Sequence, residues 1–125
     1  MTRKEAASNQ ISLAIRLFHE EEFAGAITLA LAAEGQMPPT MSPHVLKTSK
    51  DKAVPFMAER DFVSKMNEVR DWLKHHKDPE EMHIYEIEAF FAVARATSKF
   101  CAVYDHSTPE IETFVAWYRA NLKNR

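Results

Sequence analysis

The chain has 125 residues, of which 46% are hydrophobic and 27% charged, and its formal net charge at pH 7 is -2. These values fit one globular domain that needs no disulfides, and they exclude a surface built throughout for phosphate backbones, so any nucleic-acid contact must be local. The single cysteine, Cys101, indicates a reducing compartment. No stretch approaches the roughly 18 apolar residues of a membrane span, and residues 1–10 lack the apolar run of a signal peptide. We therefore expect a cytoplasmic protein without membrane contact.

Apolar residues recur at spacings of three and four along most of the chain, and only two glycines occur. This pattern predicts an all-helical protein. The first helix is expected to begin at Thr2, because Thr2 and Glu5 have the spacing of a capping box. Its predicted buried face contains Ile11, Ala14, Ile15 and Phe18, widened by Leu13 and Leu17.

The second helix is predicted to open with three acidic residues, Glu20 to Glu22, which suit the positive end of a helix dipole. Its apolar face runs from Phe23 to Leu31, and Gly35 is expected to end it. Residues 36–54 then contain three prolines and several hydroxyl side chains, which predicts an irregular connection with one short helix after Pro43.

Three further helices are predicted in the second half of the chain. The third should begin at Pro55 and end before the turn at Asp78 and Pro79, and the fourth should run from about Glu80 to Tyr104. A cap at residues 107 and 108, followed by Pro109, predicts the start of the fifth. Residues 1–125 are therefore expected to form one all-α domain, a bundle of four to five antiparallel helices.

A group of polar residues near the end of the third predicted helix is the main candidate for a functional site. On a helical wheel these residues share roughly one side, opposite the apolar face that includes Val69 and Leu73. An arginine and a lysine there provide cationic donors for a phosphate, and a histidine titrates near neutral pH. We call this group the polar cluster: Asn67, Arg70, Asp71, Lys74 and His75.

The simplest alternative is that the polar cluster is only a solvated helix face. Lysine and histidine at a helix C-terminus interact favourably with the helix dipole, and this arrangement needs no ligand.

The spacing of Arg70 and His75, an arginine followed by a polar residue and then by a histidine five positions after the arginine, resembles the motif of the HEPN superfamily of small helical bundles. Lys74 and His75 followed by Asp78 also resemble a pattern of small bacterial proteins of this type, as does the alanine-rich segment 23–34. The resemblance implies an RNA or nucleotide site, often at a homodimer interface, and in many members metal-independent RNA cleavage. Other members only bind nucleotides or partner proteins.

The resemblance implies a role for each residue of the polar cluster. His75 would act as the general base or acid, and Arg70 would stabilise charge that develops on the phosphate. Asn67 and Lys74 would orient the phosphate, and Asp71 would hold the arginine or the imidazole. No cofactor is expected, since the sequence contains no glycine-rich phosphate loop and no paired cysteines.

Two other functions remain open at this level. A divalent metal could be held by His75, His76 and Asp78, with help from Glu34 or from His83 and Glu86, although the Glu-x-x-His pair of di-iron bundles does not occur. A noncatalytic module that dimerises or binds a protein partner would use exposed aromatic side chains as anchors. The aromatic candidates are Trp72, Trp117, Tyr85 and Tyr118.

Glu34 is the one candidate from outside the second half of the chain. It stands at the end of the apolar face of the second helix, so it either joins the polar cluster as a partner of Arg70 or Lys74, or faces water.

Overall fold

The computed structural model describes residues 1–39, 59–76 and 78–121, with backbone alone for residues 59–63. Within these ranges it is an all-α domain, as the sequence predicts, and it contains no strand. The predicted short helix after Pro43 and the predicted start at Pro55 lie outside the described residues, as does most of the predicted connection 36–54. The helices are α1 (Arg3–His19), α2 (Phe23–Gln36), α3 (Glu59–Lys74), α4 (Glu86–Tyr104) and α5 (Pro109–Asn121).

Two of the predicted helix starts are confirmed by their caps. The Glu5 backbone N–H donates to Thr2 Oγ1 at 3.0 Å, which begins α1 at the predicted place. The Ile111 N–H donates to Thr108 Oγ1 at 3.2 Å, and Pro109 opens α5 at its first turn. Between α1 and α2, Glu22 occupies the N-cap position without a side-chain cap, so the acidic residues precede α2 instead of forming its first turn.

The end of α2 differs from the prediction. The helix continues through Gly35 to Gln36, and neither glycine in the chain has a positive φ. Met37 takes an extended conformation, with φ -101° and ψ 147°. A proline disfavours helical geometry in the residue before it, so Pro38, not Gly35, ends the helix.

A substitution at Gly35 tests this account of α2. Because a Cβ at position 35 would meet no atom within 4 Å, Gly35→Ala should gain helix propensity at no steric cost. We expect it to raise the free energy of unfolding by about 0.5–1 kcal/mol, measured by urea denaturation. Gly25→Ala is the matched control, since its Cβ would lie 3.0 Å from Leu17 Cδ1 and the gain should be smaller. A loss of stability in Gly35→Ala would contradict the helical placement of this residue.

The start of α4 is also different from the prediction. The helix begins at Glu86, not near Glu80, and Tyr85 is its extended N-cap. The indole N–H of Trp72 on α3 donates to the Pro79 carbonyl at 2.7 Å, so the segment before α4 is attached to α3. Residues 79–85 are not helical, and this hydrogen bond holds the start of that segment against α3.

The first half of α4 is the centre of the bundle. Six consecutive residues, 88–93, are buried, which is possible only for a helix surrounded on all sides. Helix α4 packs on α1 and α2, and the Phe90 ring stacks on Tyr118 of α5 with centroids 5.3 Å apart.

Contacts at the helix ends establish the relative directions of the helices. Arg3 at the start of α1 donates to Gln36 Oε1 at the end of α2, so α1 and α2 are antiparallel. Lys4 Nζ lies 5.8 Å from the ring centroid of Tyr104 at the end of α4, while Phe18 at the end of α1 contacts Phe90 near the start of α4. Helices α1 and α4 are therefore antiparallel as well, which agrees with the predicted bundle.

The buried face of α1 is the predicted one, with a single exception. Ile11, Ala14, Ile15 and Phe18 are all buried. Leu13 does not widen this face, because it is 39% exposed, whereas Leu17 is partly buried against the core. No helix within the described ranges is long and apolar enough to cross a bilayer.

Candidate functional site

Helix α3 positions the polar cluster on the outside of the bundle. It packs mainly on α2, and Val69 is its fully buried residue, with Met66 and Leu73 partly buried beside it. Asn67, Arg70, Lys74 and His75 are exposed, and Asp71 is half-exposed. The buried and polar faces of α3 are thus those that the apolar spacing predicts. The side chain of Phe62, predicted on the buried face, lies outside the described part.

Arg70 has one ionic partner among the described residues. Its Nε lies 3.8 Å from Asp71 Oδ1, and both side chains are 45% exposed. A solvent-exposed pair of this kind contributes only about 0–1 kcal/mol, because water and salt screen it. The Arg70 guanidinium can therefore leave Asp71 and bind a phosphate with little loss of free energy.

His75 and Asp78 lie in the turn that follows α3. The His75 backbone N–H still donates to the Asp71 carbonyl at 3.0 Å, so His75 continues the helical spiral by one residue. The bond from Trp72 to the Pro79 carbonyl closes the turn. His75 and Asp78 are both exposed. The tertiary bond therefore holds the ends of this turn together and leaves both side chains available.

Arg70 and His75 lie at opposite edges of the polar cluster. Residues five positions apart on a helix are separated by about 7.5 Å along the axis and about 140° around it. Since His75 keeps the helical hydrogen bond, this geometry applies to the pair. The two side chains therefore leave the helix on different sides, and a site that uses both is best served by an extended ligand or by a second copy of α3.

Glu34 belongs to another group of residues. Its Oε1 lies 3.4 Å from Arg95 Nε on α4, and Arg95 Nη2 donates to its Oε2 at 3.4 Å. Lys99 Nζ also donates to the Glu34 backbone carbonyl at 3.1 Å. The carboxylate thus connects the end of α2 to α4, a partner that the sequence reasoning did not name. The contacts of Glu34 do not bring it to the polar cluster.

Glu88 was not recognised from the sequence, although it is the most unusual polar residue of the described structure. It is only 1% exposed, and neither carboxyl oxygen has a hydrogen-bond partner. Desolvation by burial raises its pKa to about 7, while the charge of Lys65 and the nearby Tyr85 backbone act to lower it. The spacing contained a signal, because Glu88 lies four residues after Ile84 and three before Phe91, on the buried side of α4.

The proposed metal ligands are not brought together. Among the described residues, no three of His, Cys, Asp and Glu side chains are close enough to hold a metal ion. His83 instead packs edge-on against Tyr85, with ring centroids 4.1 Å apart.

The four aromatic residues considered as interface anchors differ in exposure. Tyr85 is half-exposed, Trp72 and Trp117 are partly buried, and Tyr118 contacts Phe90. The arrangement therefore offers a polar surface on α3 and no metal centre within the described ranges.

No protein-family model, no curated protein and no solved structure matches this chain.

Proposed function

We propose that this protein is a HEPN-like RNA-binding bundle that cleaves RNA without a metal ion, with Arg70 and His75 as the reacting pair, and that it acts in the cytoplasm. The observation that supports this proposal best is the position of the two side chains. Both are exposed at one end of α3, and neither contributes to the packed core. A cation and an imidazole that the fold does not use are available for a phosphate and for proton transfer.

The proposed reaction is internal transesterification of the RNA backbone. His75 accepts the proton of a ribose 2′-hydroxyl, the 2′ oxygen forms a bond to phosphorus, and the bond from phosphorus to the 5′ oxygen breaks. The leaving 5′ oxygen takes a proton from an imidazolium or from water, and the products are a 2′,3′-cyclic phosphate and a 5′-hydroxyl. Arg70 stabilises the negative charge that develops on the phosphoryl oxygens.

The other residues of the polar cluster would bind the strand. Lys74 and Asn67 would contact phosphates on the exposed face of α3, and Asp78 lies in the turn beside His75. Because Arg70 and His75 diverge within one chain, we include a homodimer in the proposal, in which α3 of a second copy completes each site.

The first experiment is cleavage of a mixed-sequence RNA by the purified protein in the presence of EDTA. We expect cleavage to persist with EDTA, and His75→Ala or Arg70→Ala to lower its rate by roughly 100-fold or more, the usual size of general-base and charge-stabilising contributions. His106→Ala and Arg119→Ala are matched controls, because they remove an exposed histidine and an exposed arginine away from α3. Equal losses in the controls, or cleavage abolished by EDTA, would contradict the assignment.

A noncatalytic interaction module is the second candidate, and one observation favours it. No hydrogen bond within the described structure orients the His75 imidazole, whereas general bases are usually held by a third group. In that case the wild type would bind RNA, a nucleotide or a protein partner without cleaving RNA. RNA binding that weakens with salt and is reduced in Arg70→Ala and Lys74→Ala, together with no detectable cleavage product, would identify this function.

A further inference from the structure

The carboxyl group of Glu88 is buried without partners next to α3. Glu88 lies in the first turn of α4, where acidic side chains are common, but this one points inward and is 1% exposed. Both of its oxygens are hidden from water and accept no hydrogen bond. A carboxylate in this position would be strongly destabilising, whereas a neutral carboxylic acid can be tolerated there.

The charged groups that act on Glu88 both come from α3. They are Lys65 and Glu68, and within the described residues none comes from α1, α2 or α5. Lys65 does not form an ion pair with Glu88. The Lys65 Nζ instead lies 3.5 Å from Met82 Sδ and 5.9 Å from the ring centroid of Tyr85. Lys65 thus contacts the segment before α4 through two weak interactions and leaves the carboxyl unpaired.

We propose that Glu88 is a proton-dependent latch, which holds α3 against the bundle while its carboxyl group is protonated and loosens α3 when the carboxyl group loses its proton. Helix α3 packs mainly on α2, and among the described residues the side chains of Trp72 and Lys65 attach it to the segment before α4. Ionised Glu88 needs water or a cation. Lifting α3 admits water, and it also frees Lys65 to pair with the carboxylate.

The carboxyl group of Glu88 changes its charge near neutral pH. Burial raises the pKa of Glu88 from 4.5 to about 7, so protons are released from the docked state near neutral pH. His83, which packs edge-on against Tyr85, is exposed. The latch concerns the position of α3 and does not require that the protein act on RNA. Failure of the cleavage assay would therefore leave it unaffected.

Amide hydrogen exchange across α3 tests the latch without any ligand. Protection factors, corrected for the intrinsic pH dependence of exchange, should fall roughly 30-fold for buried α3 amides between about pH 5.5 and pH 8, because one proton is released on opening. In Glu88→Gln the same protection factors should change less than about threefold. Glu86→Gln, an exposed glutamate in the same helical turn, should behave like the wild type.

Two outcomes would overturn the latch. One is α3 protection that does not change with pH while that of the α4 core does, since Glu88 would then be released only on global unfolding. The other comes from a carboxyl ¹³C titration of the wild-type protein, which needs no variant to fold. A Glu88 midpoint near the ordinary value of 4.5 would show that the carboxyl is not held in its neutral form.

Discussion

Replacement of Phe18 by alanine should lower the free energy of unfolding by about 3–5 kcal/mol, the usual cost of removing a buried phenylalanine. Phe18 is buried at the end of α1 and contacts aromatic rings from three other helices. These rings are Phe23 of α2, Phe90 of α4, and Phe114 and Trp117 of α5. Its removal would leave a cavity at a point where four helices meet.

Urea denaturation followed by circular dichroism would measure this loss. Leu13→Ala is the matched control, because Leu13 belongs to the same helix and is 39% exposed. We expect the control to cost less than about 1 kcal/mol. A similar small loss in Phe18→Ala would mean that the four helices are not joined through this ring.

Replacement of Glu88 by glutamine should raise stability at alkaline pH and remove the fall in stability that Glu88 causes between about pH 5 and pH 7. The folded-state pKa of about 7 lies above the unfolded value near 4.5, so the folded protein binds more protons between these values. The contribution of Glu88 to the free energy of unfolding is therefore greatest below pH 4.5. It falls as the pH rises toward 7 and then levels off. Between low and high pH, the contribution of Glu88 to the free energy of unfolding changes by about 3 kcal/mol.

Denaturation curves of both proteins at several pH values would measure this difference. At about pH 8 the glutamine variant should be the more stable protein by up to about 3 kcal/mol, less the cost of burying an amide. Near pH 5 the two proteins should be similar. Glu86→Gln controls for the loss of one charge from the first turn of α4. A glutamine variant whose stability falls with pH as steeply as that of the wild type would refute the assignment.

Local signals in the sequence correctly predicted the starts of α1 and α5. Thr2 and Thr108 accept the hydrogen bonds that their positions imply, because a cap is formed by residues three apart and needs no tertiary contact. The prediction was wrong for α4, where the attachment of Pro79 to Trp72 replaces six residues of expected helix. It was also wrong at Gly35, because α2 continues past this residue and ends before Pro38, which disfavours helical geometry in Met37.

For the polar cluster, too, the sequence predicted the local arrangement of the residues but not their function. The spacing along α3 correctly placed Val69 inside and Arg70 outside, since one helix face determines both. Whether this cluster binds or cleaves RNA stays a prediction.

The amino-acid sequence by itself determined the all-α class, the capped helix starts at Thr2 and Thr108, and the exposed face of α3, because helix periodicity and caps act over only a few residues. The tertiary structure decided which polar groups meet. Glu34 pairs with Arg95, 61 residues away, and Glu88 is buried with no hydrogen-bond partner for its carboxyl oxygens among the described residues. Such contacts depend on how whole helices pack against each other, and no local pattern in the chain specifies that packing.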